Sequence, residues 1–233
     1  VLSLNMFLPS LSRIAGDFQA DYALVALSIG GYLAVSSVLQ LIMGPLSDLH
    51  GRRPVLLGAL VIFVLASVGC LFAPSVEIFL AFRMAQSAVI SGMVLSRAVV
   101  RDMHPQKEAA RLLGAIGMAM ALAPLLAPIL GGVLDEVFGW RATFLFFVVA
   151  GMAMFAMVYT DLGETNLTRA ARFFDQFRSY PELVRSGQFW AWCGAIVFSV
   201  GGFYAFLGGA PKVGEDAFGL TPAVLGIGMG SIS

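Results

Sequence analysis

The sequence predicts an all-α integral membrane protein, and three observations carry that prediction. Of its 233 residues 59% are hydrophobic and only 12% charged, against about a quarter charged in soluble domains, and the mean hydropathy is +0.88. The charges are also segregated: Tyr22 to Ser47, Pro54 to Val76, Leu112 to Leu134, Ala142 to Thr160 and Ser186 to Pro211 contain no Asp, Glu, Lys or Arg. Finally, these runs match the ~20 residues a helix needs to cross hydrocarbon and show no period-2 alternation, which excludes barrel strands.

Taken in order, the chain opens on an uncharged run to Ser12 that reads as the remainder of a first span. This run has neither a basic n-region nor a small-residue cleavage site, which argues against a signal peptide. Six complete spans follow, namely the five charge-free runs and Ile78 to Val100, which carries Arg83 and Arg97. An apolar run from Ala217 onward reads as an incomplete eighth span, so the chain is expected to be a fragment. The expected organisation is a helical bundle over residues 1–160, a polar connector over 161–188, and the start of a second bundle over 189–233.

Basic residues between spans set the orientation. Arg52 and Arg53, then Arg101, Lys107 and Arg111, then Arg169, Arg172, Arg178 and Arg185 occupy the even gaps. Only Arg13, Arg141 and Lys212 occupy the odd ones, Gly214 being read as part of the last of these. The even gaps are therefore expected at the cytoplasmic face of a cell inner membrane, with the N-terminus inside. In the connector, Phe173, Phe177, Tyr180 and Val184 recur at spacings of four, three and four among arginines. That pattern fits a stretch lying on the membrane surface or an ordinary solvated linker.

Polar groups inside spans are costly and point to function. Arg83 lies seven residues past Val76, roughly 10 Å in from the outer surface, and Gln86 shares its helical face. Two readings are open: a polar stripe facing a cavity, or an arginine that caps carbonyls or pairs with Glu77. Asn5, five residues before Ser10, falls at the same depth. Arg97 is near the cytoplasmic end and can snorkel. As read here, the spans hold no embedded carboxylate. Cys70 and Cys193 lie within spans and read as small packing residues. No nucleotide-binding loop, Cys/His cluster, or nucleophile with its base occurs, so no cofactor, metal, nucleic-acid partner or enzymatic activity is expected.

The segment from Gly44 to Pro54, with Asp48, Gly51, Arg52 and Arg53, reads physically as a stiff basic hairpin between two spans. Its spacing resembles the loop signature of the major facilitator superfamily between helices 2 and 3. Arg83-Met84-Ala85-Gln86-Ser87 resembles that superfamily's helix 4 motif, linked to proton transfer, with Ser87 in place of glycine. Gly114, Ala123, Ala127, Pro128, Gly131 and Gly132 fall at the spacing of its antiporter-type helix 5 motif, which works through small residues and a proline kink.

Asn5 to Pro9, Ala123 to Pro128 and Phe138 to Arg141 are similar to the bicyclomycin and chloramphenicol resistance branch of drug:proton antiporters, where the residue at Asn5 is typically aspartate. The resemblance implies a twelve-helix transporter working by alternating access. This chain would hold the end of helix 1, helices 2 to 7 and the start of helix 8. Its partners would be a small-molecule substrate, protons and the bilayer; the sequence does not fix an oligomeric state. Tyr32, Phe82, Phe203 and Tyr204 are candidates for a cavity lining. The expected function is proton-coupled efflux of drugs or amphipathic metabolites. The alternatives are an importer or uniporter of the same fold, or a non-transporting degenerate copy.

Overall fold

In a computed structural model the described residues are 2–166 and 180–232, and among them every regular element is helical. Connector residues Arg169, Arg172, Phe173, Phe177 and Arg178 lie outside them. Helix 1 is broken into α1 (Leu2–Asn5), a 3-10 turn (Leu8–Ser10) and α2 (Leu11–Asp17). The break has a covalent cause, since Pro9 has no N–H to give the Asn5 carbonyl. Irregular backbone at membrane depth is tolerated only inside protein, and from Ser3 to Leu11 every residue is buried.

The helices that follow are α3 (Tyr22–His50), α4 (Arg52–Leu71), α5 (Val76–Gln86) and α6 (Ile90–Met103), the last two joined by a 3-10 turn over Ser87–Val89. Then come α7 (Gln106–Phe138), α8 (Arg141–Asp161), α9 (Tyr180–Arg185), α10 (Gly187–Phe218) and α11 (Pro222–Ile232). Six of these stretches are long and apolar enough to span a membrane, with α5 and α6 acting as one. The helix starts are capped where the sequence offers a short polar side chain. Asp21 accepts from the Ala23 N–H at 2.9 Å, and Ser75 and Ser186 occupy the N-caps of α5 and α10.

Around helix 1 the core is aromatic. Phe79, Trp140, Phe144 and Phe147 meet edge to face, with ring centroids 5.5–5.8 Å apart, and Phe18 adds to this stack. The even-numbered gaps cluster at one end of the bundle, where Arg52 of the α3–α4 link pairs with Asp102 of α6 at 3.1 Å, and Thr165, after α8, reaches the same carboxylate. The opposite end joins the α2 terminus to the α7–α8 turn through Asp17, Trp140 and Arg141.

Several boundaries differ from the sequence reading. The stretch from Gly44 is not a hairpin: α3 runs through Pro45 to His50, and Gly51 alone, at φ 105°, turns the chain into α4. A proline near a helix end keeps its place where the surrounding packing holds the chain. α10 runs past Pro211 to Phe218, so Gly214 sits inside the helix, packed against Leu225, and not in a gap. α7 likewise continues past Leu134 to Phe138.

Candidate functional site

Arg83 projects from α5 into the core and is completely buried. Its Nη1 donates to the Gln86 Oε1 one turn on, and Gln86 Nε2 donates to Ser67 Oγ of α4 at 2.6 Å. Ser67 passes its own proton to the Phe63 carbonyl at 2.7 Å. Among the described residues no carboxylate pairs with it, and Glu77 bonds Ser75 at the exposed start of the same helix. The guanidinium is enclosed by rings instead: its carbon lies 4.0 Å from the Phe7 centroid, 5.1 Å from Tyr32 and 5.8 Å from Phe144. Cation–π attraction strengthens on desolvation to about 2 kcal/mol, far below the cost of burying an unpaired charge. Arg83 Nε and Nη2 have no acceptor among the described residues. Such an uncompensated cation marks a place where an acceptor can arrive.

Asn5 is also fully buried, and it hydrogen-bonds the Tyr204 hydroxyl of α10. Helix 1 thus faces two ways: Phe7 covers Arg83 while Asn5 reaches across to α10. Ser3 bonds the Tyr32 hydroxyl at 2.9 Å, holding the ring beside Arg83. Of the proposed cavity aromatics, Tyr32 belongs to this cluster, and Phe203 and Tyr204 pack against its edge. Phe82 faces Gly69 and is partly exposed.

The contacts of α10 are uneven along its length. Tyr22 Oη donates to the Gly208 carbonyl at 2.6 Å, Leu207 is buried, and Lys212 lies 5.4 Å from the Tyr22 ring. The half nearer the loop-signature end, Trp190, Trp192, Ile196, Val197 and Phe198, is exposed among the described residues.

The loop signature forms one charged knot. Arg52 pairs with Asp48 and Asp102 and donates to Ser47 Oγ at 2.5 Å. Arg53 donates to the Tyr159 carbonyl at 2.8 Å and lies over its ring. Glu164, not singled out by sequence, accepts from the Arg52 N–H at 2.8 Å and covers Gly51, where a side chain would collide with it. Asn166 completes the closure by donating to the Asp48 carbonyl at 3.0 Å. Gly44 has open space beside it and makes no close approach.

The helix 5 motif divides in two. A Cβ on Gly131 would run into the Met6 carbonyl, one on Gly132 into the Pro222 carbonyl, and one on Gly226 of α11 into the Pro128 carbonyl. Ala127 and Pro128 are buried in the same contact, and Ala123 is at its margin. Gly114 has nothing within 4 Å.

One buried carboxylate falls just past the charge-free run that ends at Leu134. Asp135, in the last turn of α7, is fully buried. It accepts from Arg13 at 3.3 Å and from the Ser10 hydroxyl of helix 1. Counting charge-free residues ends a span at the first charge whichever way it faces. The helical face would have found it, because Asp135 lies four residues after Gly131 and three after Gly132. Beside it, Asp17 accepts from Trp140 Nε1 at 2.8 Å and Arg141 at 2.9 Å. The Trp140 bond, and after it Arg141, holds the Asp17 carboxyl below its ordinary range.

Comparison with known proteins adds the following. The family model described as Major Facilitator Superfamily matches residues 1–233. Over 232 residues the chain is 32% identical to an uncharacterized MFS-type transporter, YdgK, of Bacillus subtilis (strain 168), covering 97% of this chain and 58% of that protein. It is 31% identical over 237 residues to a chloramphenicol resistance protein of Pseudomonas aeruginosa, covering 98% and 56%. To the multidrug transporter MdfA of Yersinia pestis bv. Antiqua (strain Angola) it is 27% identical over 195 residues, covering 82% and 47%. The chain thus spans about half the length of the curated relatives it matches.

Proposed function

This chain belongs to the major facilitator superfamily, and from that membership we propose that it is part of a secondary transporter that expels small amphipathic molecules in exchange for protons. The observation that carries the reading is the Arg83–Gln86–Ser67 chain, a buried cation with two unsatisfied donors in an aromatic cage. A rigid structural arginine would have its donors satisfied; one that meets a ligand or a moving helix need not in every state. Arg83 and Gln86 act on the substrate and proton pathway, and Asn5 with Tyr204 orients substrate between the halves.

Alternating access is the motion that this reading assigns to helix 1 and α10. The first bundle and α10 touch at the Tyr22–Gly208 end, away from the loop signature. The charged knot around Arg52 is a device of the cytoplasmic face, and the Gly131–Gly132 stripe is the surface along which α7 slides on helix 1 and α11.

The names of two relatives supply the substrate class: chloramphenicol and other drugs. The test is accumulation of radiolabelled chloramphenicol by inverted membrane vesicles holding the protein, with and without an imposed pH gradient. Gradient-driven accumulation above protein-free vesicles is the expected result. Accumulation that ignores the gradient favours a facilitator, which is the reading that the non-titrating Asn5 amide supports.

A further inference from the structure

At the end of the molecule away from the loop signature, a cleft of about 520 Å³ runs between helix 1, the α7–α8 turn and α10, lined among others by Arg13, Asp17, Asp135, Arg141 and Glu215. Asp135 forms part of its wall, and no other acidic side chain is fully buried among the described residues.

The charged groups facing Asp135 from every element packed on it are quickly named. Helix 1 brings Arg13 and Asp17, α8 brings Arg141, and α10 brings Glu215. Glu136 follows it on its own helix, and α11 carries no charged residue. Arg141 is taken by Asp17, and Glu136 caps α11 through the Ala223 N–H and the Thr221 hydroxyl. Among the described residues Arg13 is therefore the one cation paired with it. It is 44% exposed, it sits at 3.3 Å, and the same Nη1 is shared with the Asp135 backbone carbonyl at 3.1 Å. A screened, shared, half-exposed guanidinium and one serine hydroxyl, Ser10, offset little of what burying a carboxylate costs.

Asp135 also stands where movement would change its surroundings. One turn back, Gly131 touches the Met6 carbonyl of helix 1 and Gly132 touches the start of α11. Parting of helix 1 from α7 would open Asp135 to the cleft water, and closing would bury it again.

We propose that Asp135 is a proton-binding site that ties closure of this end to proton uptake, an inference that rests on the alternating-access reading above. As helix 1 and α7 close, the Oδ2 of Asp135 takes one proton from cleft water. As they part, the proton returns to that water and the carboxylate is solvated. By linkage, the conformation that holds the proton more tightly gains weight as pH falls, so acid favours the closed end.

The test uses the full chain in proteoliposomes without substrate or gradient, so that a failure of drug transport and a failure of this inference remain separate. Spin labels at Gln19→Cys and Val137→Cys, in a background with Cys70→Ala and Cys193→Ser, report the distance between helix 1 and α7 by pulsed electron resonance from pH 5 to 9. The expected wild-type result is a short-distance population that dominates in acid and declines in one titration as pH rises. Asp135→Asn should hold the short population throughout. Arg13→Gln, which removes the counter-charge, should raise the midpoint by about one pH unit. A wild-type distribution that ignores pH overturns the proposal, as does an Asp135→Asn protein that titrates like wild type. If Asp135→Asn fails to accumulate, Arg13→Gln decides, and an unmoved midpoint overturns the assignment.

Discussion

The Arg83 guanidinium lies 4.0 Å from the centroid of the Phe7 ring, so helix 1 covers the buried cation with an aromatic face and not with an acid. The planar guanidinium is suited to that stack while Nη1 holds Gln86. Lysine keeps the charge but loses both the plane and the fork. Arg83→Lys should therefore accumulate in membranes near wild-type levels yet lose about tenfold to a hundredfold in transport rate, as expected for a charged hydrogen bond of about 1.5–3 kcal/mol. Wild-type transport by Arg83→Lys, with Arg83→Ala merely lowering the amount of folded protein, would make the residue structural.

The placement of that pair shows what the sequence makes readable and what it hides. Arg83 and Gln86 share a face by helical geometry alone, and charge-free runs of ~20 residues give the spans because length and solvation dictate them. The gathering of Arg52, Asp102 and Glu164 at one end follows from alternating the direction of successive helices. What stays hidden depends on tertiary packing. The break after Asn5 needs the surroundings to shelter irregular backbone at membrane depth. The 3-10 turn at Ser87 is tightened by hydroxyls returning to carbonyls, Ser87 to Met84 at 2.6 Å and Ser91 to Ala88 at 2.7 Å. Asp135 is disguised by standing at the end of a run, where a charge is ordinarily read as exposed. Gly44 belongs to a recognisable spacing and yet packs on nothing, which no local pattern reveals.

Gly131 lends itself to a sharper test. Alanine favours a helix interior over glycine by about 1 kcal/mol, so a site with room would be stabilised by Gly131→Ala. Here the added methyl meets the Met6 backbone carbonyl, which cannot swing aside like a side chain. Overpacking costs about 1–3 kcal/mol and should win. Gly131→Ala is expected to lower the midpoint of thermal inactivation in detergent, whereas Gly114→Ala, with nothing within 4 Å, should raise it or leave it alone. Equal shifts in the two variants would place the close contact elsewhere.

Asp17 gives a pH dependence separate from that of Asp135. Its carboxyl is held below the ordinary range by Trp140 first and Arg141 after it. A depressed folded-state value means that the contribution to stability is present above the ordinary aspartate value of about 3.9 and is lost as pH falls through the lower folded value. The tie between the α2 terminus and α8 should therefore be intact from neutral pH down to about pH 4 and break only in stronger acid. Tryptophan fluorescence of a Trp190→Phe, Trp192→Phe protein, which leaves Trp140 as reporter, should show that acid step, and Asp17→Asn should abolish it. A step centred above pH 5 would assign the change to another group.

The two-ended distribution of basic residues predicts orientation. Gln106, at the exposed start of α7 beside the charged knot, should label as Gln106→Cys only from the cytoplasmic side, and Gln19→Cys, in the exposed turn after α2, only from outside. Labelling of intact cells with a membrane-impermeant maleimide, before and after permeabilisation, measures both. Reaction of Gln106→Cys in intact cells would reverse the orientation.

Asn5 carries the last prediction, because an amide cannot titrate and yet stands fully buried between the Arg83 layer and Tyr204 of α10. Its chemistry is limited to donating and accepting hydrogen bonds, which suits holding a substrate and rules it out as the proton carrier. Proton coupling then depends on a carboxylate elsewhere, and Asp135 supplies one. Asn5→Ala is accordingly expected to raise the KM for chloramphenicol in the vesicle assay by about tenfold, the worth of one buried hydrogen bond at 1–1.5 kcal/mol, while accumulation still follows the imposed pH gradient. Asn5→Asp places a second titratable group beside the Tyr204 hydroxyl. Coupling should then persist and its dependence on pH should change shape, because two interacting sites titrate in place of one. A wild-type protein that ignores the gradient, beside an Asn5→Asp protein that follows it, would mean that Asn5 marks the vacated coupling site. The protein would then be a facilitator, and exchange with protons would have to be abandoned as its mechanism.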